Sequence, residues 1–155
     1  MTPDFELITH KFPNKDIKIY PIADVHLGAR EHLDREWKAF CTEILKDENA
    51  YIILAGDLIN NALKNSVSNV YEETMRPREQ KRIMVEMLTP LRDRILAATS
   101  GNHERRSAKE ADDDVTYDIM CKLDLEHLYR ENIAVIKCKF GREQIDGKRN
   151  PCYVL

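Results

Sequence analysis

Asp24-Val25-His26, Gly56-Asp57 and Gly101-Asn102-His103-Glu104 place carboxylate, imidazole and amide groups in three short segments of one chain. These are the side chains that hold divalent cations, with hard oxygens and a borderline imidazole nitrogen in one set. Each segment follows a strand-like apolar run. Residues i and i+2 of an extended chain share a face, so Asp24 and His26 are expected to reach one ion together. Asp57 has two oxygens with which to bridge two cations. Asn102 offers a neutral oxygen, and His103 beside it offers an imidazole suited to moving a proton near neutral pH. Singly, each segment also reads as a surface turn, a capping aspartate or a left-handed loop. Their order, each after a β-like run, favours a metal centre.

The elements that must position these groups follow from periodicity. Phe5 to His10 reads as a short edge strand, Asn14-Lys15-Asp16 as a turn, and Ile17–Ala23 as a strand leading into Asp24. Pro21 suits a position whose N–H is not needed by a sheet. Asp34 is expected to cap a helix whose apolar face carries Trp37, Phe40, Cys41, Ile44 and Leu45. Tyr51–Ala55 is wholly apolar, as in a strand buried on both faces. Leu58 to Tyr71 is polar and Asn-rich and reads as a loop with one helical turn. Arg78 to Arg94 has helical spacing, which Pro90 should split. Ile95–Thr99 begins a third strand. Asp112-Asp113-Asp114 opens another helix, whose face runs through Thr116, Ile119, Met120, Leu123 and His127. Ile133–Cys138 is a further strand, Gly147-Lys148 a turn, and Cys152–Leu155 a strand start with no partner in view. Strands alternating with helices predict an α/β layered domain on a mostly parallel sheet. Ligands of such sheets sit beyond the carboxyl ends of the strands, where all three motifs fall.

Composition bounds the function classes. The 155 residues are read as one domain, and 43% hydrophobic with 33% charged residues suits a globular protein. A net charge of -3 argues against a chain that is basic throughout and binds nucleic acid by its overall charge. No apolar run approaches the ~20 residues that span a bilayer, so no membrane partner is expected. The acidic, non-apolar N-terminus predicts a cytoplasmic chain. Cys41, Cys121, Cys138 and Cys152 are too scattered for a zinc finger and are expected to be free, buried thiols. Two basic stretches, Arg76 to Arg82 and the pair Arg105-Arg106, could meet phosphate. Ordinary solvated surface is the plainer reading of both.

The three motifs in this order resemble the calcineurin-like metallophosphoesterase family, over roughly Ile17 to Glu104. The resemblance implies a layered α/β sandwich and hydrolysis of phosphate esters by a metal-activated water. It implies two divalent metal ions, manganese foremost, with iron or zinc as alternatives. Asp24 and His26 would bind one, Asp57 would bridge both, and Asn102 would bind the second. His103 would orient the phosphate and act as general acid. Arg105 and Arg106 would meet the substrate phosphate. Asp-Val-His-Leu-Gly is similar to the DNA-repair nuclease branch, whereas Gly-Asn-His-Glu is similar to the protein phosphatase branch. Gly56-Asp57-Leu58-Ile59-Asn60-Asn61 lacks the Asp-Arg-Gly of that second branch, which favours a phosphodiesterase or nuclease-like lineage.

The family pattern continues with a separate His and a GHxH segment. After Glu104 this sequence has only His127, which is expected on a helix as a half-buried residue and not as a ligand. The second metal site is therefore expected to be incomplete and the domain C-terminally truncated, representing the first half of the fold. One face of the sheet is then expected to lie uncovered, and Cys152–Leu155 to leave an unpaired edge. Three readings stay open: a phosphoesterase, a non-catalytic remnant or split half completed by a partner chain or a homodimer, and a phosphate- or nucleic-acid-binding module.

Overall fold

Short apolar runs separated by amphipathic segments bury themselves best as strands sandwiched between layers, and this chain does so. The computed structural model describes residues 6–13, 16–64, 70–141 and 152–155. The first sheet contains β2 (Lys18–Ile22), β3 (Ala50–Ala55), β4 (Ile95–Thr99) and β5 (Tyr129–Arg130), in that spatial order and all parallel. Parallel neighbours need crossovers, and helices supply them. α1 (Asp34–Lys46) joins β2 to β3, and α2 (Pro77–Leu88) joins β3 to β4. α3 (Glu104–Ala111) and α4 (Val115–Lys122) join β4 to β5.

The predicted elements are largely present. β3 is interior to the sheet, with Ile52 and Leu54 fully buried. Pro21 lies in β2, at the sheet edge, where its missing N–H leaves no partner unsatisfied. The split at Pro90 also occurs: α2 stops at Leu88 and the chain continues as a 3-10 turn, Thr89–Arg94. α1 lays Trp37 and Ile44 on the core, and the Trp37 indole N–H donates to Met87 Sδ of α2 at 3.2 Å.

Five local expectations are corrected. Leu33, not Asp34, occupies the cap position of α1, and no side-chain hydrogen bond closes that end. Asp34 instead pairs with Lys38 one turn on. Leu45, placed on the apolar face by its spacing, is 44% exposed. The loop after β3 reads as polar, yet Leu58, Ile59, Asn61 and Ala62 are buried in it. His127 belongs to a short 3-10 turn, Glu126–Leu128, and is exposed, because α4 ends at Lys122. α3 was not foreseen: its buried positions, Glu104 and Ser107, are polar and give no apolar stripe.

A second sheet covers the other face of the first. β1 (Ile8–Phe12) pairs parallel with β6 (Ile136–Phe140), and β7 (Cys152–Val154) pairs antiparallel with β6. The Phe12 ring meets Tyr51 of β3 edge-on at 4.9 Å and stacks on Phe140 at 5.4 Å. His10 Nε2 is 2.8 Å from Leu96 O of β4, a bond that also ties the layers. Two expectations thus change. Cys152–Leu155 is paired, not solitary, and the described residues already contain three strands of the second layer. The terminal strand stays exposed, with Tyr153, Val154 and Leu155 each more than half accessible. The turns expected at Asn14-Lys15 and Gly147-Lys148 lie outside the described residues. No described helix is long and apolar enough to cross a membrane.

The four cysteines are free, as expected, but only Cys138 is fully buried. Cys41 and Cys121 are half-buried and Cys152 is exposed. Burial pushes the Cys41 thiol up to about 11 and raises Cys138 as well. Thiol labelling of the folded protein at pH 8 should therefore modify Cys152 first, with Cys41 and Cys138 reacting only slowly until the chain unfolds; mass spectrometry of the labelled peptides checks this order. Ile44→Ala should cost about 2–5 kcal/mol in urea denaturation, because it opens a core cavity. Leu45→Ala, one residue on but exposed, should stay within about 1 kcal/mol.

Candidate metal centre

The three motifs leave the carboxyl ends of adjacent parallel strands, β2, β3 and β4. The chain after β2 runs beside the chain after β3. His26 N–H donates to Asp57 O, Leu27 N–H to Leu58 O, and Asn60 N–H to Leu27 O. The two loops thus continue the sheet's pairing past its formal end. One ligand atom from each of Asp24, His26 and Asp57 lies within 4.8 Å of the others. His26 Nε2 is 3.4 Å from Asp24 Oδ1.

The mode of convergence differs from the expected one. β2 ends at Ile22, so Asp24 and His26 do not share a face by strand alternation. Asp24, His26 and Asp57 all have left-handed backbones, with φ of 53°, 45° and 53°. Such conformations are uncommon for non-glycine residues and persist only where surrounding bonds impose them. Here left-handed residues in two loops, not a pleat, aim the side chains.

Glu104 imposes much of that shape. Its carboxylate is 1% exposed and accepts four backbone N–H groups. Oε2 takes Asp57 at 2.9 Å and Gly101 at 3.0 Å. Oε1 takes Leu58 at 2.7 Å and Ile59 at 3.1 Å. One side chain thereby clasps the loop after β3 to the loop after β4. Asp57 Oδ1 returns the grip by accepting His103 N–H at 2.8 Å. The approach is too close for any side chain between the loops. A Cβ on Gly56 would lie 2.4 Å from Gly101 N, and one on Gly101 would lie 2.2 Å from Asp57 N.

Behind this clasp, Asn61 and Gln80 are fully buried. Asn61 Nδ2 donates to His103 O at 2.8 Å and to Ser107 Oγ at 2.9 Å. Gln80 Oε1 accepts Asn61 N–H at 2.9 Å. This network, with Glu104, is what sequence reasoning missed. The Glu after Asn-His was visible but carried no assigned task. Asn61 and Gln80 had no signal beyond being polar residues in polar stretches.

His103 stands against His26, their ring centroids 4.3 Å apart. Its Nδ1 is 2.7 Å from Asn60 O. A carbonyl only accepts, so Nδ1 carries the hydrogen. Arg106 donates to His103 Nε2 at 3.0 Å and to Asn60 O at 3.1 Å. A guanidinium only donates, so Nε2 presents its lone pair to Arg106. The other expected arginine diverges: Arg105 donates to Glu131 O at 3.1 Å. Asn102 is exposed in the turn between Gly101 and His103.

A cleft of about 470 Å³ opens beside the cluster. Asp24, His26, Asn60 and His103 line its polar end, and Val25, Leu33 and Trp37 its apolar wall, with Glu31 and Glu36 alongside. His32, unnoticed in the sequence, also lines it and is 2.8 Å from Val25 O through Nδ1.

Two carboxylates and an imidazole within reach of one point, His26 Nδ1 being buried without a protein partner, fit a divalent cation. A family model described as calcineurin-like phosphoesterase matches residues 17–150, which takes in the cluster, the whole four-stranded sheet and β6 of the second sheet. The chain belongs to that family. Its members act on phosphate esters and generally bind two divalent metals, and among the described residues Asp24, His26 and Asp57 form the group that could hold one. A comparison with curated proteins finds no match.

Glu104→Gln keeps the shape but turns an amide NH₂ toward two of the four N–H donors. It should cost about 1–3 kcal/mol for each donor left unpaired. Manganese affinity should fall with stability. Denaturant unfolding and calorimetric titration with Mn²⁺ check both; a variant as stable as the parent would show that the clasp contributes little.

Proposed function

We propose that this chain is the catalytic part of a metal-dependent phosphodiesterase. The observation that carries the reading is the Asp24–His26–Asp57 cluster beside His103 and Arg106, at the mouth of a cleft. Asp24, His26 and Asp57 would hold one divalent ion, and Asp57 with Asn102 would contribute to a second. Manganese suits this oxygen-rich set. The remaining ligands of the second ion come from outside this set. When bound, the two ions supply an activated water and Lewis-acid contact to the phosphoryl oxygens.

The chain's own residues do the rest. Arg106 turns its N–H groups from His103 Nε2 to a phosphoryl oxygen, because an anion is the better acceptor. His103 stays anchored through Nδ1–H to Asn60 O. Its freed Nε2 takes up a proton from water and delivers it to the departing oxygen as the P–O bond breaks. Val25, Leu33 and Trp37 receive the apolar part of the leaving group and exclude water from it. Glu31 and Glu36 disfavour a long polyanion along this wall, which supports a small diester over a nucleic acid as substrate. Arg105, committed to Glu131 O, takes no part in this scheme.

Hydrolysis of bis(p-nitrophenyl) phosphate with added Mn²⁺ tests the reading. Activity should disappear with EDTA and return with Mn²⁺. Asp57→Asn or His103→Ala should lower turnover at least ~100-fold, and Arg106→Ala by ~10–100-fold. Arg105→Ala should be near wild type. Unchanged turnover in both Asp57→Asn and His103→Ala would sink the site assignment. No Mn²⁺-dependent hydrolysis at all would favour the non-catalytic reading.

A further inference from the structure

The peptide that joins Val25 to His26 lies between Asp24 and the imidazole of His26, and both of its polar ends are held. Its N–H, that of His26, donates to Asp57 O at 3.0 Å. Its C=O, that of Val25, is 2.8 Å from His32 Nδ1. A carbonyl only accepts, so Nδ1 carries the hydrogen and donates it. No other donor among the described residues reaches Val25 O.

The orientation of this one plane decides where His26 points. Rotating it by about half a turn changes ψ of Val25 and φ of His26 together and returns His26 from φ 45° to the ordinary negative range. A left-handed backbone is unfavourable for a residue with a Cβ, so bonds must hold the plane against that rotation. Asp57 O holds it from one side and His32 from the other. His32 is itself well supported. Its N–H donates to Ala29 O at 3.3 Å, and Ala29 N–H donates to His26 O at 3.0 Å. α1 starts soon after, at Asp34, and buries Trp37 in the core. The chain from His26 to His32 thus closes on itself, and its last residue grips the peptide that precedes its first.

The other ring nitrogen supports the same role. His32 Nε2 is buried and has no hydrogen-bond partner. An unpaired buried nitrogen is unfavourable, so the bond at Nδ1 is what accounts for a polar ring in this place.

We infer that His32 is a positioning residue of the metal centre. Through Nδ1–H it locks the Val25–His26 peptide, and so holds His26 in the left-handed conformation that brings Nε2 to 3.4 Å from Asp24 Oδ1. The inference rests on the reading of Asp24, His26 and Asp57 as metal ligands. His32 touches neither ion nor substrate in this role and acts through the backbone of a ligand. The role needs a donor at the δ position, not a histidine as such. Asparagine carries an N–H donor there. Phenylalanine keeps a ring and leucine keeps the outline of asparagine, and neither can donate.

Amide hydrogen exchange of the metal-free full chain, followed by NMR, and calorimetric titration with Mn²⁺ test this together. His32→Phe should speed exchange of the His26 amide at least about tenfold, while the Leu27 amide, which donates to Leu58 O, keeps its parent rate. Mn²⁺ affinity of the same variant should fall about 10–100-fold. His32→Asn should restore both. If His32→Phe does not fold, His32→Leu takes its place with the same two losses expected. Parent-like His26 exchange or parent-like Mn²⁺ affinity in the donor-less variant overturns the inference. So does equal acceleration of the His26 and Leu27 amides, which would make the bond a matter of general stability, and so does a His32→Asn variant that behaves like His32→Phe. Mn²⁺ binding that is lost in Asp57→Asn but kept in His32→Phe overturns this inference alone, whereas a wild-type chain that binds no Mn²⁺ overturns the metal-ligand reading and this inference with it.

Discussion

The Glu104 carboxylate, accepting four backbone N–H groups from two loops, is the contact on which the candidate site depends. Parallel strands end with N–H groups that no ladder neighbour can reach, and burying them unpaired is costly. Leu58 and Ile59 of the loop after β3 are buried at this point, so water is a poor substitute. One carboxylate solves the problem for both loops. Burying its charge is unfavourable in itself, and four charge-assisted bonds offset that cost. The same clasp sets where Asp57 and His103 stand.

Other features follow from the clasp. Because the two loops are drawn together, Gly56 and Gly101 come into backbone contact and leave no room for a side chain. Because Asp57 is gripped through its own N–H and through His103 N–H, its left-handed backbone is held in place. The His26 N–H bond to Asp57 O passes that constraint to the first motif. Three strained residues thus share one network, as expected where side chains must be aimed before a ligand arrives.

The segment from Asp57 to Asn61 is a wall with different chemistry on its two sides. Toward the cleft, Asn60 O holds His103 and Arg106. Toward α2 and α3, Asn61 is locked by Gln80, Ser107 and His103 O. A fully satisfied buried polar network is rigid, and rigidity here fixes the height of the imidazole above the cluster.

Local spacing in the sequence determined much of this protein. The apolar run Tyr51–Ala55, the amphipathic pattern of α1, the break at Pro90 and the acidic start of α4 each depend on neighbours a few residues away, so each was legible. The three motifs were legible too, because strand ends are where an α/β sheet gathers its ligands. Only the tertiary structure decided the rest. α3 has no apolar stripe, since Glu104 and Ser107 are buried for hydrogen bonds made across the fold. The pairing of β1 with β6 joins residues as distant as Ile8 and Ile136, which no local pattern encodes. Asp24 and His26 converge by left-handed turns that the neighbouring loop imposes, and Arg106 rather than Arg105 reaches His103. These outcomes are set by which backbone donors each buried acceptor can find, and that becomes defined only when distant segments meet.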